Sequence, residues 1–111
     1  MNIDAGDIVW AEFGSGAGTE QSGRRPAIVL SSADYHSISP RAVVCPITTT
    51  ERQWPFDVGL PRHLRARGFV LVDQVRSVDR ASRIFRIIER APADVLERVR
   101  FALASLMGMA A

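Results

Sequence analysis

A polar, glycine-bracketed loop at residues 18–26 carries the side chains best suited to chemistry. It holds one carboxylate, one amide and two adjacent guanidinium groups: Glu20, Gln21, Arg24 and Arg25. Pro26 fixes its own backbone angle and disfavours helical geometry at the residue before it. The apolar run at 27–30 then predicts a strand, so Arg25 lies where a loop becomes rigid. A planar guanidinium held there suits a phosphate ligand. A solvated hairpin loop with incidental charges is the alternative.

Many catalytic mechanisms are excluded by what the sequence lacks. One cysteine and two histidines cannot form a Cys/His zinc cluster. We find no EF-hand spacing, no Walker-type phosphate loop and no GxSxG nucleophile motif. His36 and His63 lie in loops with ordinary neighbours, which favours solvated side chains over an acid–base pair. Arg, Glu, Asp, Ser and Thr remain as candidate catalytic groups, and no metal or other cofactor is expected.

Length and composition predict one soluble globular domain spanning residues 1–111. The chain is 47% apolar and 23% charged, as in ordinary globular proteins. No apolar run approaches the length of a membrane span, and the N-terminus lacks a signal-peptide pattern, so the expected location is the cytoplasm. Cys45 lies in an apolar run, which favours a buried small side chain over a reactive thiol.

The type of basic residue in this sequence bears on its possible partners. All fourteen are arginine, and residues 41–90 hold ten of them against five acidic residues. Arginine suits bidentate contacts to phosphate and stacking on bases, so a polyanionic partner is plausible. A genome rich in GC codons accounts for the same preference.

The hydrophobic pattern predicts short strands and one helix. Strands are expected at 6–13, 27–31, 42–50 and 56–60, with one or two more around Asp73 in 69–78. Pro46 interrupts the third strand or places it at an edge. Residues 84–88 fit a last strand or a turn packed beneath the sheet.

The C-terminal segment has helical periodicity. Five apolar residues fill one face: Leu96, Val99, Leu103, Leu106 and Met107. Pro92 suits the first turn and Gly108 can end the helix. The chain is therefore predicted to be mainly β, a small twisted sheet or partly open barrel with a C-terminal helix packed on it.

Four motifs together resemble the MazF/PemK family of toxins. They are Gly6-Asp7-Ile8-Val9-Trp10, the stretch from Gly18 to Leu30, Pro46-Ile47-Thr48-Thr49, and Asp73-Gln74-Val75-Arg76-Ser77-Val78. They occur in the family's order and span nearly the whole chain. The resemblance implies the toxin half of a bacterial type II toxin–antitoxin pair.

The resemblance also implies a fold, an activity and partners. Family members have a small SH3-like barrel, act as homodimers and are silenced by a cognate antitoxin. Most are metal-independent endoribonucleases that cut single-stranded RNA, commonly messenger RNA, at short sequences. By resemblance Arg25 and Thr48 match catalytic positions, Glu20 matches a carboxylate implicated in some members, and Thr19 and Gln21 match RNA-contacting loop positions. Position 19 is more often serine in the family.

The expected reaction uses the RNA's own 2′-hydroxyl, which attacks the adjacent phosphorus to give a 2′,3′-cyclic phosphate and a 5′-hydroxyl. Arg25 is expected to neutralise the phosphorane, because its high pKa makes it a poor general acid. Thr48 can donate a hydrogen bond to the same phosphate. Glu20, the loop's only carboxylate, is the candidate base; the alternative is a structural partner for Arg24 or Arg25.

Other residues are candidates for RNA contact. Trp54, in a polar connection, is the better stacking platform, whereas Trp10 fits core or dimer packing. Asp73 and Gln74 are expected to shape a strand bend with some contact to RNA. Arg24 joins the RNA-binding candidates, and the loop with Arg62, Arg65 and Arg67 is expected to be solvated.

Two other functions remain compatible with the sequence. One is a non-catalytic toxin of similar fold that poisons a protein target, as gyrase-inhibiting toxins do. The other is a plain SH3-like RNA-binding module. The combination of Arg25, Thr48 and Glu20 favours the enzyme, because a binding module needs charge but not that set.

Overall fold

The computed structural model describes residues 1–109, which form seven strands, three helices and one 3₁₀ turn. The strands are β1 (Asp7–Glu12), β2 (Arg24–Val29), β3 (Arg41–Thr48), β4 (Asp57–Gly59), β5 (Phe69–Leu71), β6 (Arg76–Asp79) and β7 (Ile84–Arg90). The helices are α1 (Ala33–His36), α2 (Arg80–Arg83) and α3 (Ala93–Leu106), and the 3₁₀ turn is Val72–Gln74.

All seven strands belong to one antiparallel sheet. Its order is β4-β5-β3-β2-β1-β7, and β6 also pairs with β3. The end strands β4 and β7 do not pair with each other among the described residues, so the sheet stays open. The mainly β fold with a C-terminal helix is confirmed, and residues 84–88 belong to a strand at the edge of the sheet.

Pro46 lies in the central strand, so of the two alternatives the edge position is wrong, whereas the pairing on one side of β3 is interrupted opposite Pro46. β3 pairs with β2 on one side and with both β5 and β6 on the other. On the second side the ladder runs from Arg41 to Val44 and resumes at Ile47. The segment after β5 leaves the ladder opposite Pro46 and forms the 3₁₀ turn. Proline's lack of an N–H therefore removes no ladder bond on that side.

The sheet separates two apolar clusters, because side chains alternate along each strand. Ile8, Ile28 and Ile47 pack with Val95 and Val99 of α3 on one face. On the other face, Val9, Phe13, Ala27, Val29 and Val44 form the second cluster. This second face leads to the site described below.

Helix α3 confirms most of the predicted apolar face. Val99 is fully buried, and Leu96, Leu103 and Leu106 are partly buried. Met107 is 59% exposed, so its predicted place in that face is wrong. It is the C-terminal capping residue, and the helix ends before Gly108 adopts a φ of 72°.

Helix α1 lies in the region expected to be only turns. The Ser32 hydroxyl accepts a hydrogen bond from the Tyr35 N–H and caps this helix. His36 is 9% exposed, and its ring nitrogens hydrogen-bond to the carbonyl of Ile3 and the hydroxyl of Ser31. The expectation of a solvated His36 is therefore wrong, because the ring ties the N-terminal segment to α1. His63 is exposed as predicted.

Candidate active site

Arg25 lies within β2, which begins three residues earlier than the predicted start at Ala27. β2 pairs with β1 so that Arg25 is opposite Ala11, and with β3 so that Ala27 is opposite Pro46. Continuing the second register by two residues places Arg25 across from Thr48 on the same sheet face. The register therefore places on one sheet face the two side chains that the sequence suggested for phosphate chemistry.

The Arg25 guanidinium is held by one backbone carbonyl. Its Nε and Nη2 both donate to the carbonyl oxygen of Ser22, at 3.1 and 2.7 Å. Among residues 1–109 no other group accepts from it. Because a guanidinium has five N–H donors, the edge formed by Nη1 and Nη2 stays available for a bidentate anion.

Thr48 is 7% exposed, and its backbone packs against Gly68. Its Oγ1 accepts a hydrogen bond from the Thr50 N–H at 3.2 Å, so the hydroxyl proton can point to a ligand. Gly68 passes directly over the Thr48 carbonyl with a φ of 108°, where a Cβ atom would collide with that carbonyl. The position of Thr48 therefore depends on glycine at residue 68.

Glu20 is exposed at the tip of the loop between β1 and β2. Its carboxylate accepts a hydrogen bond from the Ala17 N–H at 3.1 Å. Among the described residues Glu20 forms no ion pair with Arg24 or Arg25. The alternative that Glu20 is a structural partner of one of these arginines is therefore wrong for this structure. The carboxylate is left accessible to a ligand in the groove.

Arg24 lies on the opposite side of the strand from Arg25. Its Nε is 3.3 Å from a carboxylate oxygen of Glu12, and its guanidinium stacks 4.4 Å from the centre of the Phe85 ring. The structure thus separates Arg24 from the other candidate site residues. Its contact with RNA stays a prediction.

A groove of about 470 Å³ opens between the 14–23 loop and the 3₁₀ turn. It is lined by Phe13, Thr19, Glu20, Gln21, Pro46, Arg52, Asp73, Gln74, Val75 and Arg76. Five predicted site residues, Thr19, Glu20, Gln21, Asp73 and Gln74, therefore share one groove. Its polar lining includes two arginines and two carboxylates, a mixture suited to a polar ligand.

Sequence reasoning missed Arg52 and Arg76 as groove residues. Arg76 donates to the Phe13 carbonyl at 3.2 Å and lies 5.5 Å from the centre of the Phe13 ring. A signal was present, since Arg76 belongs to the Asp73–Val78 motif. No local pattern marks Arg52, whose position depends on contacts with residues far along the chain.

Gln74 bridges the 3₁₀ turn to the loop that carries Glu20. Its Oε1 accepts from the Gln21 N–H at 2.8 Å, and its Nε2 donates to the Thr19 carbonyl at 3.1 Å. The two bonds lie on either side of Glu20 in the sequence. Residues more than fifty positions apart are joined in this way.

Asp73 holds the opposite wall of the groove. One oxygen lies 3.4 Å from Arg52, and the other accepts from the Trp54 indole N–H at 3.1 Å. Arg52 also makes two hydrogen bonds to Asp57, at 2.9 and 2.6 Å. These bonds with Asp57 raise the pKa of the Arg52 guanidinium further, which keeps it charged.

The two tryptophans differ as the sequence predicts. Trp54 is 46% exposed, with its indole edge anchored and its ring accessible, whereas Trp10 is half-buried in β1. Cys45 is fully buried, as predicted, and burial raises the pKa of its thiol to about 12. The three arginines of the 61–68 loop are exposed.

Residues 1–109 contain neither a metal-binding cluster nor a membrane-spanning helix. No three side chains of the His, Cys, Asp and Glu types lie together in a way that could hold a metal ion. In the same part of the chain, no helix has both the length and the apolar character needed to cross a membrane.

The open antiparallel sheet with a C-terminal helix is shared with solved structures of MazF proteins. The structure is similar to MazF from Deinococcus radiodurans, with a TM-score of 0.92, 48% identity and coverage of 98% of this chain and 99% of that one. The MazF of a MazE–MazF complex from the same organism gives a TM-score of 0.86 at 47% identity, with 99% of each chain covered.

The chain belongs to the family of PemK-like, MazF-like toxins of type II toxin–antitoxin systems, whose model matches residues 4–107. The endoribonuclease toxin MazF of Escherichia coli is 40% identical over 75 residues, which cover 68% of this chain and 67% of that protein. The endoribonuclease toxin ChpB of Escherichia coli is 34% identical and covers 95% of this chain and 94% of that protein. The predicted family is therefore confirmed.

Proposed function

We propose that this member of the MazF/PemK endoribonuclease toxins cleaves single-stranded RNA, in particular messenger RNA, in the cytoplasm, at short sequences and without a metal ion. The observation that carries the proposal is Arg25, fixed by the Ser22 carbonyl with one edge of its guanidinium available. The strand register places Thr48 on the same sheet face, and Glu20 belongs to the loop that leads into β2, although the groove that Glu20 lines has neither Arg25 nor Thr48 among its lining residues. The names of the relatives support the same activity.

The proposed step is a transesterification within the RNA. Glu20 takes the proton of the 2′-hydroxyl, the 2′ oxygen bonds to the adjacent phosphorus, and the bond from phosphorus to the 5′ oxygen breaks. The departing 5′ oxygen takes a proton from solvent, and Glu20 returns its proton to water. Arg25 and Thr48 donate hydrogen bonds to the phosphorane oxygens, where negative charge accumulates. The products are a 2′,3′-cyclic phosphate and a 5′-hydroxyl.

Sequence selectivity is assigned to the groove. Thr19 and Gln21 flank the candidate base and can contact the nucleotides next to the scissile phosphate. Trp54 offers a ring face for stacking a base while its indole N–H stays bound to Asp73. Asp73 and Gln74 form the groove floor between these two walls.

Two protein partners are proposed. A second copy of the chain forms a homodimer, with RNA bound near the interface. A cognate antitoxin covers the 14–24 loop and Arg25 with an acidic, partly disordered segment, since this region presents guanidinium groups. The structural neighbours from Deinococcus radiodurans include MazE–MazF complexes, which supports an antitoxin partner.

The test is incubation of purified protein with a long RNA in EDTA. Discrete fragments with 2′,3′-cyclic phosphate ends are expected, and an Arg25→Ala preparation made in parallel controls for contaminating nuclease. Intact RNA bound by the protein would instead indicate a binding module, and intact unbound RNA a toxin with a protein target. Cleavage only after adding a divalent cation would refute the metal-independent reaction.

A further inference from the structure

The 3₁₀ turn Val72–Gln74 contacts both walls of the groove through two adjacent side chains. Gln74 binds the 14–23 loop, and Asp73 binds the segment with Arg52 and Trp54. We propose that Asp73 and Gln74 are positioning residues that set the width of the groove, each holding one wall. The catalytic consequence rests on the proposed function, whereas the effect on the two walls does not.

The Gln74 carboxamide matches the loop backbone in both directions. Its carbonyl accepts from the Gln21 N–H, and its amino group donates to the Thr19 carbonyl. Glutamate at this position would keep the first bond and lose the second, because a carboxylate has no N–H. Other hydrogen bonds of the loop, such as Gly23 N–H to the Gly14 carbonyl and Glu20 N–H to the Ala17 carbonyl, join residues of the loop to one another. Among the described residues, Gln74 is the long-range tie to the tip that carries Glu20.

Asp73 closes the other wall through two different donors. The Trp54 indole N–H and an Arg52 N–H each reach one of its carboxylate oxygens. Arg52 in turn holds Asp57 at the start of β4. The carboxylate therefore connects the 49–56 segment to the sheet and fixes the direction of the Trp54 ring.

The turn can serve both walls because of where the sheet is interrupted. Opposite Pro46 the chain leaves the β3 ladder and forms a single 3₁₀ turn between β5 and β6. Successive side chains in such a turn point about 120° apart, so neighbours can reach opposite walls. The same interruption explains why this polar pair lies beside a buried strand.

Direct base recognition by this pair is the competing explanation. Both polar atoms of the Gln74 carboxamide and both oxygens of Asp73 already have partners within the protein. Each group keeps a spare lone pair or N–H, but a base that binds there must accept a side-chain orientation already fixed by the two walls. The geometry therefore favours an indirect role, in which Thr19, Gln21 and Trp54 contact the RNA.

The first experiment is amide hydrogen exchange of the RNA-free protein by mass spectrometry. Gln74→Ala should speed exchange at least tenfold in residues 16–22 and leave residues 50–57, whose Thr50 and Asp57 amides are hydrogen-bonded, unchanged, whereas Asp73→Ala should do the reverse. Gln74→Glu should give an intermediate effect in 16–22. Glu97→Gln, an exposed change on α3, is the control and should alter neither segment. Unchanged exchange in both segments would overturn the proposal, whether or not the protein cuts RNA.

The second experiment compares cleavage and binding in the same variants. Gln74→Ala should lower kcat by roughly tenfold or more, while binding of an uncleavable 2′-deoxy RNA falls by less than about threefold. The set of cleavage sites should stay the same. A changed base preference at one position, with normal exchange in the free protein, would assign Gln74 to direct recognition and refute the positioning role. Absence of cleavage by the unaltered protein would refute the proposed function and leave the exchange result to decide this inference.

Discussion

Replacing Arg25 by alanine should remove catalysis while leaving the fold almost intact. In the structure this side chain uses Nε and Nη2 to bind the Ser22 carbonyl, which orients its remaining edge toward a ligand. Loss of one oriented transition-state donor lowers rates by roughly 10²–10³, or about 2.7–4 kcal/mol. We expect the Arg25→Ala rate constant to fall by at least about 10².

The effect of the same change on stability should be small. The two bonds from Arg25 to Ser22 are exposed, and a net hydrogen bond contributes roughly 0.5–1.5 kcal/mol, here at the low end. The melting temperature should fall by only about 2–4 °C. Arg25→Lys should restore little activity, because an ammonium group cannot reproduce the bidentate edge.

Arg24→Ala is the matched control, since it removes the same charge from the adjacent position. It also loses the contact with Glu12 and the stacking on Phe85, so its destabilisation should equal or exceed that of Arg25→Ala. Its cleavage rate should nevertheless fall by less than about tenfold. Single-turnover cleavage, thermal melting and binding of 2′-deoxy RNA measure the three quantities. An Arg24→Ala rate as low as that of Arg25→Ala would refute the catalytic assignment.

Three further predictions concern the hydroxyl, the assembly and pH. Thr48→Val should lower the cleavage rate by roughly tenfold or more, whereas Thr48→Ser should stay within a few-fold, since only the serine variant keeps the donor; equal rates in single-turnover assays would contradict this. The exposed Phe85 and Ile87 on the edge strand β7, and Phe101 on α3, favour a homodimer; light scattering at micromolar concentration should exclude a 12.2 kDa monomer. The Ser82 hydroxyl and N–H lower the pKa of Asp79 below its ordinary 3.8, so this carboxylate stabilises the fold above that pH and loses its effect as pH falls through its lowered value. Urea unfolding should therefore show a stability gap between the unaltered protein and Asp79→Ala that is constant above about pH 5 and closes in acid; a gap that persists at low pH would show another cause.

Local patterns predicted the elements that depend on local physics. Alternation identified β1, and helical spacing with Gly108 identified α3 and its end. Patterns failed where a distant partner decides the outcome. Pro46 suggested an interrupted strand or an edge strand, yet β3 is central, and the missing donor is tolerated because the segment paired with β3 turns away there. His36 suggested solvent, yet Ile3, far along the chain, supplies its partner.

The candidate site also combines features that local sequence predicts with features that depend on distant residues. The Arg25–Pro26 junction marked a constrained guanidinium, and the structure fixes it through Ser22, three residues away. The bonds from Gln74 to the loop and from Asp73 to Trp54 have no local signal, because they form only when the sheet brings these segments together. The roles of the site residues stay predictions until the variants are assayed.

The buried thiol of Cys45 provides an internal reporter of opening in the centre of the sheet. It is the chain's one cysteine, lies in β3 opposite Ile28, and has a pKa raised from 9.0 to about 12 by burial. A thiol reagent reacts with the exposed thiolate, so labelling requires β3 to open. The labelling rate of Cys45 then measures the population of the open state, without any introduced probe. A ligand that binds only the closed protein should slow labelling in proportion to its occupancy, which gives affinities for RNA and antitoxin from one residue.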